Sequence, residues 1–163
     1  MRSIKLESLT KEAFAPFGCY YDMANPEGYA STGPFHAFYP DRVPVCFNGE
    51  IAFSPLVVKN LGEYKIATIE YHKGTPEIII PITDDVIIHV ALPSEKTPSA
   101  EQTKAFLVPK NTVVKLNPEV WHYAPLPANN ESATIIIGLP VLTYKNNCIV
   151  VDLTKDQQFL IEK

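Results

Sequence analysis

Short apolar runs, separated by proline and other turn residues, follow one another along most of the chain. The run over 86–92 is apolar apart from His89, and the run over 132–139 contains three successive isoleucines. Because helix interiors exclude proline, this regular punctuation predicts an all-β protein. The predicted strands are 3–6, 19–22, 35–38, 51–58, 65–72, 77–82, 86–92, 104–108, 113–116, 120–124, 132–139 and 148–153.

Two short segments have a helical pattern instead. Thr10 can cap a helix over 11–17 that Gly18 ends, and a second short capped helix is predicted over 154–161. Many short strands with so little helix are typical of a sandwich or a barrel. We therefore predict one domain over 1–163, a double-sheet jelly roll that closes its core around a cavity.

Polar residues interrupt the apolar pattern on neighbouring predicted strands. Glu70 and His72 are two positions apart, so on a strand they point to the same face. A turn containing glycine and proline follows, and Glu77 opens the next strand. His122 lies on a strand further along the chain. We expect Glu70, His72, Glu77 and His122 to converge inside the barrel.

These four side chains are also those that hold divalent transition metals. Two imidazole nitrogens with two or more carboxylate oxygens suit Mn²⁺, Fe²⁺, Ni²⁺ or Zn²⁺ better than Ca²⁺. Two alternatives stay open at this point. The same residues could form a metal-free polar pocket, or they could lie exposed on a sheet.

Three further residues have patterns that suggest a place near the pocket or the core. His36 lies between aromatic neighbours and is expected to lean on the pocket. Trp121 is expected to form a wall of the substrate pocket. His89 interrupts a buried strand, so we predict a buried neutral histidine bonded to the backbone.

Composition excludes several classes of protein. The chain has 163 residues, a usual length for one domain, and a net charge of −4 with no basic concentration for nucleic acid. The three scattered cysteines favour free thiols in a reducing compartment. No signal-peptide core and no apolar run of about 20 residues for a membrane span are found. The expectation is a soluble cytoplasmic protein that binds a small-molecule substrate.

The spacing of the polar residues resembles the first motif of the cupin superfamily. In that motif two ligands stand two positions apart, and a carboxylate and then a turn glycine follow. Here Glu70 and His72 are followed by Glu77, and Asp84 stands at the glycine position. His122, four residues after a proline, matches the single histidine of the second cupin motif.

Longer segments resemble the ureidoglycolate lyases, a family with the cupin fold. The resembling segments are Leu9 to Gly18, Glu70 to Pro81, Val120 to His122, and Asn147-Cys148. The resemblance implies a cupin-type double-stranded β-helix and a homodimer. It also implies cleavage of (S)-ureidoglycolate to glyoxylate and urea in purine and allantoin breakdown. Glu70, His72, Glu77 and His122 are then the candidate catalytic residues, with either histidine as the base.

The chain departs from this family at three places. Glu77 stands where glutamine is usual, Tyr123 stands where a second histidine is usual, and no arginine follows the strand that ends at Leu139. Two alternatives therefore stay open. One is a metal-dependent cupin of other chemistry, an isomerase or a dioxygenase. The other is a non-catalytic cupin that binds a small metabolite.

Overall fold

The structure, a computed structural model, describes residues 2–163, and strands are its main regular structure. The strands are β1 (Arg2–Ser8), β2 (Gly18–Asp22), β3 (Ser31–Gly33), β4 (His36–Phe38), β5 (Ile51–Lys59), β6 (Lys65–Ile66), β7 (Thr68–His72), β8 (Glu77–Pro81), β9 (Val86–Ala91), β10 (Thr103–Val108), β11 (Thr112–Leu116), β12 (Leu126–Pro127), β13 (Ser132–Pro140), β14 (Cys148–Asp152) and β15 (Phe159–Glu162). The helices are α1 (Lys11–Phe14), α2 (Thr143–Asn146) and a 3₁₀ turn (Ala100–Gln102). Over residues 2–163 no helix is long and apolar enough to cross a membrane.

Two sheets pack around a shared apolar core. One has the order β12-β9-β10-β1-β15-β6, and the other has the order β2-β11-β8-β13-β5. Alternate residues of both sheets turn inward, as the two-residue period of strands requires. They form one buried cluster that includes Val90, Phe106, Val114 and Ile135. This arrangement confirms the predicted jelly-roll barrel.

The larger sheet closes on itself next to the predicted site. β6 continues into β7 after one residue, and β7 pairs with β14. Isolated bridges join Glu70 on β7 to His122, and Ala91 on β9 to Trp121. The segment 121–122 therefore links β7 to β9 and completes a ring of strands around a second apolar cluster. His122 is held by two backbone hydrogen bonds to Glu70, and its neighbour Trp121 is held by two to Ala91.

The N-terminal helix is confirmed but is shorter than predicted. The Thr10 hydroxyl accepts a hydrogen bond from the Ala13 amide at 3.2 Å, and α1 ends at Phe14 instead of continuing to Phe17. Pro16 lies directly after this turn, and it cannot donate the backbone hydrogen bond that a longer helix needs.

The predicted C-terminal helix over 154–161 is wrong. A turn follows Thr154, and the end of the chain is β15, which pairs with β1 and β6. Phe159 and Ile161 alternate into the second cluster, where both are buried. Burial of these two large side chains, together with pairing to β1 and β6, outweighs local helix propensity. The predicted strand over 120–124 is likewise reduced to the bridges at 121 and 122.

Candidate active site

β7 and β8 bring three of the predicted residues into the barrel. Glu70 and His72 are on the same face of β7, and both are buried. Gly74, at a φ of 75° that favours glycine, lies in the turn that reverses the chain. Glu77 then enters β8 on the face that carries Ile79 of the inner core. Three polar side chains thus enter an otherwise apolar interior.

His122 joins them through its backbone. The amide of Glu70 donates to the His122 carbonyl at 2.6 Å, and the amide of His122 donates to the Glu70 carbonyl at 2.8 Å. Residues that exchange both hydrogen bonds lie directly opposite each other, so their side chains share a face. The structure therefore brings all four predicted residues together.

The carboxylate of Glu77 lies at the centre of the cluster. Its Oε2 atom is 2.7 Å from Nε2 of His122 and 2.9 Å from Nε2 of His72. Nδ1 of His122 is 2.8 Å from the Val120 carbonyl, so it must carry a proton and donate. Nε2 of His122 then faces Glu77 with either a proton or a lone pair, depending on what lies between them.

The charges of this pair stabilise each other. Burial alone would raise the pKa of Glu77, but His122 and then His72 outweigh it and lower that pKa to about 2. Burial alone would lower the pKa of His122, but Glu77 and its hydrogen bonds raise it above the ordinary value. In the absence of another cation, a protonated His122 beside an ionised Glu77 is the favoured state.

His72 has an unused binding capacity. It is 2% exposed, and neither of its ring nitrogens makes a hydrogen bond within residues 2–163. Nε2 approaches Glu77 closely but is not aligned for a hydrogen bond. A buried nitrogen without a partner is costly, and a metal ion would satisfy it. Ligand atoms of His72, Glu77 and His122 lie within 4.8 Å of one another, so these residues can hold a metal.

Two residues near the cluster were not predicted as site residues. Cys148 on β14 lies opposite His72 in the register, and its thiol donates to Oε2 of Glu70 at 3.2 Å. Tyr144 on α2 places its ring edge-on to His72, with centroids 5.8 Å apart. The Asn147-Cys148 pair resembles a segment of the ureidoglycolate lyases. This resemblance was the one indication in the sequence that the region lies near the site.

The structure does not bring His36 and Trp121 into this group. His36 is exposed in the β3–β4 hairpin, where its ring contacts Phe35. Trp121 alternates to the opposite face from His122, packs against Tyr71 and donates to the Ser94 hydroxyl at 3.1 Å. Trp121 thus lies in the second cluster and not beside the His122 side chain, because neighbouring residues of a strand face opposite sides. Its role as a wall of a substrate pocket stays a prediction.

His89 is buried as predicted, but the predicted bond to the backbone is wrong. Within residues 2–163 neither ring nitrogen has a partner. It alternates to the face of β9 that carries Ala91 of the second cluster, where backbone groups are already paired in the sheet. Burial, with a smaller effect of His122, lowers the pKa of His89 to about 3.

Neither arginine of the chain reaches the cluster. Arg2 pairs with Glu101, and Arg42 lies against the rings of Tyr21 and Tyr39. Arg42 also lines a separate cleft of about 730 Å³ beside α1 and β2, and none of the four residues lines that cleft. Neither arginine can therefore supply the positive charge for an anionic ligand at the cluster.

A jelly-roll barrel with two buried histidines and two buried glutamates on facing strands defines a cupin-type protein with a candidate metal centre. The chain belongs to the family described as domain of unknown function DUF4867, whose model matches residues 59–163. The matched range contains all four residues of the cluster and Cys148.

Full-length relatives give a second line of comparison. The chain is 26% identical to a ureidoglycolate lyase of Pseudomonas aeruginosa, over 99% of this chain and 97% of the relative. It is 28% identical to a ureidoglycolate lyase of Stutzerimonas stutzeri, over 99% of this chain and 96% of the relative. The similarity to ureidoglycolate lyases that the sequence motifs predicted is thereby confirmed.

Among solved structures, the chain aligns with a variant of oxalate decarboxylase from Bacillus subtilis at a TM-score of 0.45 and 16% identity. The alignment covers 64% of this chain and 24% of that chain. The chain therefore spans about a quarter of the length of that protein.

Proposed function

We propose that the chain is a lyase that cleaves (S)-ureidoglycolate to glyoxylate and urea, a reaction of purine breakdown through allantoin. Similarity to ureidoglycolate lyases over nearly the whole chain supports the substrate. The observation that carries the proposal is the buried contact of Glu77 Oε2 with the Nε2 atoms of His122 and His72, at 2.7 and 2.9 Å. From the family resemblance we also expect a homodimer.

His72, Glu77 and His122 would hold a divalent transition metal. Bound there, the metal supplies the positive charge that polarises the carboxylate and hydroxyl of the substrate. The lack of an arginine at the cluster supports this role, since a buried anion needs an opposite charge. Glu77 also neutralises part of the metal charge and fixes the two rings.

Because both histidines would hold the metal, Glu70, and not a histidine as the resemblance implied, is the group that takes a proton from the substrate hydroxyl. The residue is 9% exposed, and its Oε1 atom is 4.0 Å from His122 Nε2, too far for a hydrogen bond. Oε1 is therefore free to accept. As the hydroxyl proton moves to Glu70, the carbinol carbon forms the glyoxylate carbonyl and its bond to the urea nitrogen breaks.

Tyr144 supplies the proton that the departing nitrogen needs. Partial burial, followed by the charges of Glu77 and Glu70, raises the pKa of Tyr144, so the phenol stays protonated. Its ring lies against His72 at the edge of the cluster. The tyrosinate formed regains a proton from solvent, and Glu70 releases one, so the reaction balances.

Release of glyoxylate by the purified chain tests this proposal. We expect Glu70→Gln to lower kcat by about 10²–10⁴-fold with the metal content unchanged, because a general base is lost while the ligands stay. His36→Gln, on the exposed hairpin, is the matched control and should keep full activity. If the metal-loaded native chain releases no glyoxylate, the proposed substrate is contradicted. If Glu70→Gln keeps full activity, the role of Glu70 as the base is contradicted.

A further inference from the structure

Cys148 lies at the same point of the barrel as the cluster. β14 pairs with β7 so that Cys148 is opposite His72, and opposite residues of paired strands share a face. Sγ of Cys148 is 3.2 Å from Glu70 Oε2. The thiol is thus directed into the site by the strand register, and it is half-buried there.

His72 is common to two sets of donor atoms. One set is His72, Glu77 and His122, and the other is Glu70, His72 and Cys148; within each set, one ligand atom of each residue lies within 4.8 Å of the others. His72 is itself buried, and its ring nitrogens have no hydrogen-bond partner in residues 2–163. Cys148 therefore lies beside the same histidine that contacts Glu77.

We propose that Cys148 is a ligand of the metal held by His72, Glu77 and His122. The two neutral histidines, one carboxylate and one thiolate balance a divalent charge, which leaves Glu70 outside the set as a base. Metal binding would replace the S–H bond by a metal–sulfur bond. The proton would pass to Glu70 Oε2, which accepts the hydrogen bond of the thiol, and from there to solvent. This inference rests on the metal-holding part of the proposed function and not on the substrate.

The sulfur also determines which metal the site prefers. Thiolate is a soft ligand that favours Zn²⁺, whereas a set of carboxylates and carbonyls suits Mn²⁺ or Mg²⁺. A thiol that binds a metal ion does so as the thiolate, which the charge of the ion stabilises. We therefore expect Zn²⁺ and Co²⁺ to bind more tightly than Mn²⁺.

Cobalt substitution tests the proposal on the full chain. Co²⁺ bound to a thiolate gives a near-ultraviolet charge-transfer band, which we expect in the native chain. The double variant Cys19→Ser/Cys46→Ser, which removes the two cysteines outside the cluster, should keep the band. Cys148→Ser should lose it while still binding cobalt through the remaining ligands. A native chain that binds no cobalt, or a band that persists in Cys148→Ser, would overturn the proposal.

X-ray absorption of the zinc-loaded double variant gives a second measurement that does not depend on replacing Cys148. We expect one sulfur at about 2.3 Å from zinc. A shell of only nitrogen and oxygen would overturn the proposal. Neither measurement depends on glyoxylate release. A sulfur ligand without lyase activity would therefore contradict only the proposed substrate. Lyase activity without a sulfur ligand would contradict only the role of Cys148 as a metal ligand.

Discussion

At the scale of single residues, the position of Glu77 decides what the cluster can bind. Its Oε2 atom and Nε2 of His122 are 2.7 Å apart, and Nδ1 of His122 is already committed as a donor to Val120. Two lone pairs at this distance would repel, so a proton or another cation must lie between them. A divalent metal can replace that proton, which is how metal sites commonly assemble.

His89 provides a residue-scale prediction of pH dependence. Its folded pKa of about 3 lies well below the ordinary value, so on acidification the unfolded chain takes up a proton first. Stability is therefore lost as the pH falls below about 6.5, by about 1.4 kcal/mol per pH unit. Between about pH 7.5 and about pH 5, the stability gained by His89→Leu should grow by about 2 kcal/mol in urea unfolding.

The exposed His36 serves as the control for His89. His36→Leu removes an exposed histidine, and its stability is measured over the same pH range. Equal pH dependence of the native chain and His89→Leu would show that His89 is not held neutral by burial.

Glu70, His72 and Glu77 could be predicted from local pattern, and His122 from its resemblance to the second cupin motif. The two-residue period of a strand aligns Glu70 with His72, and the turn after them delivers Glu77. Cys148 and Tyr144 could not be assigned in this way. Their place beside His72 depends on the pairing of β14 with β7, a contact between distant parts of the chain.

At the scale of elements, the turn between β8 and β9 has a role that its sequence did not indicate. Asp84 stands where the resemblance expects a turn glycine, but its side chain is buried. Its carboxylate accepts from the backbone amides of Asn129 and Asn130, both at 2.9 Å. Burial would raise the pKa of Asp84, but these hydrogen bonds hold it below the ordinary value. The carboxylate thus fixes the loop between β12 and β13 against the β8–β9 turn.

Asp84→Ala should lower the free energy of unfolding by about 3 kcal/mol, because buried amides lose a charged acceptor. The stabilisation by Asp84 is present above its ordinary pKa and is lost as the pH falls through its lowered folded pKa. Urea unfolding of both chains would measure the change. Asp156→Ala, at an exposed turn, is the matched control and should change stability by less than about 0.5 kcal/mol. A similar small effect at Asp84 would show that the loop is held by other contacts.

The end of the chain shows where element prediction fails. Residues 154–161 have a plausible helix cap at Thr154, and local propensity alone favours a helix. β15 forms instead because β1 and β6 each offer an edge to the same segment. No local pattern reveals two distant partners, so this error follows from long-range pairing.

At the scale of the whole molecule, closure of the larger sheet determines the position of His122. His122 is bridged to Glu70 on β7 and its neighbour Trp121 to Ala91 on β9, so two strands hold this segment. The barrel class could be predicted from the number and spacing of short strands. The closing bridges could not, since they involve only one residue pair each. The expected homodimer stays a prediction, which sedimentation equilibrium would check.

Turnover of (S)-ureidoglycolate by His122→Ala tests the central claim most directly, because His122 joins the two halves of the cluster. With folding verified by circular dichroism, we predict that kcat/KM for glyoxylate release falls by at least about 10²-fold. His36→Ala, measured beside it, should match the native chain. Full turnover in His122→Ala would contradict the assignment of this cluster as the active site.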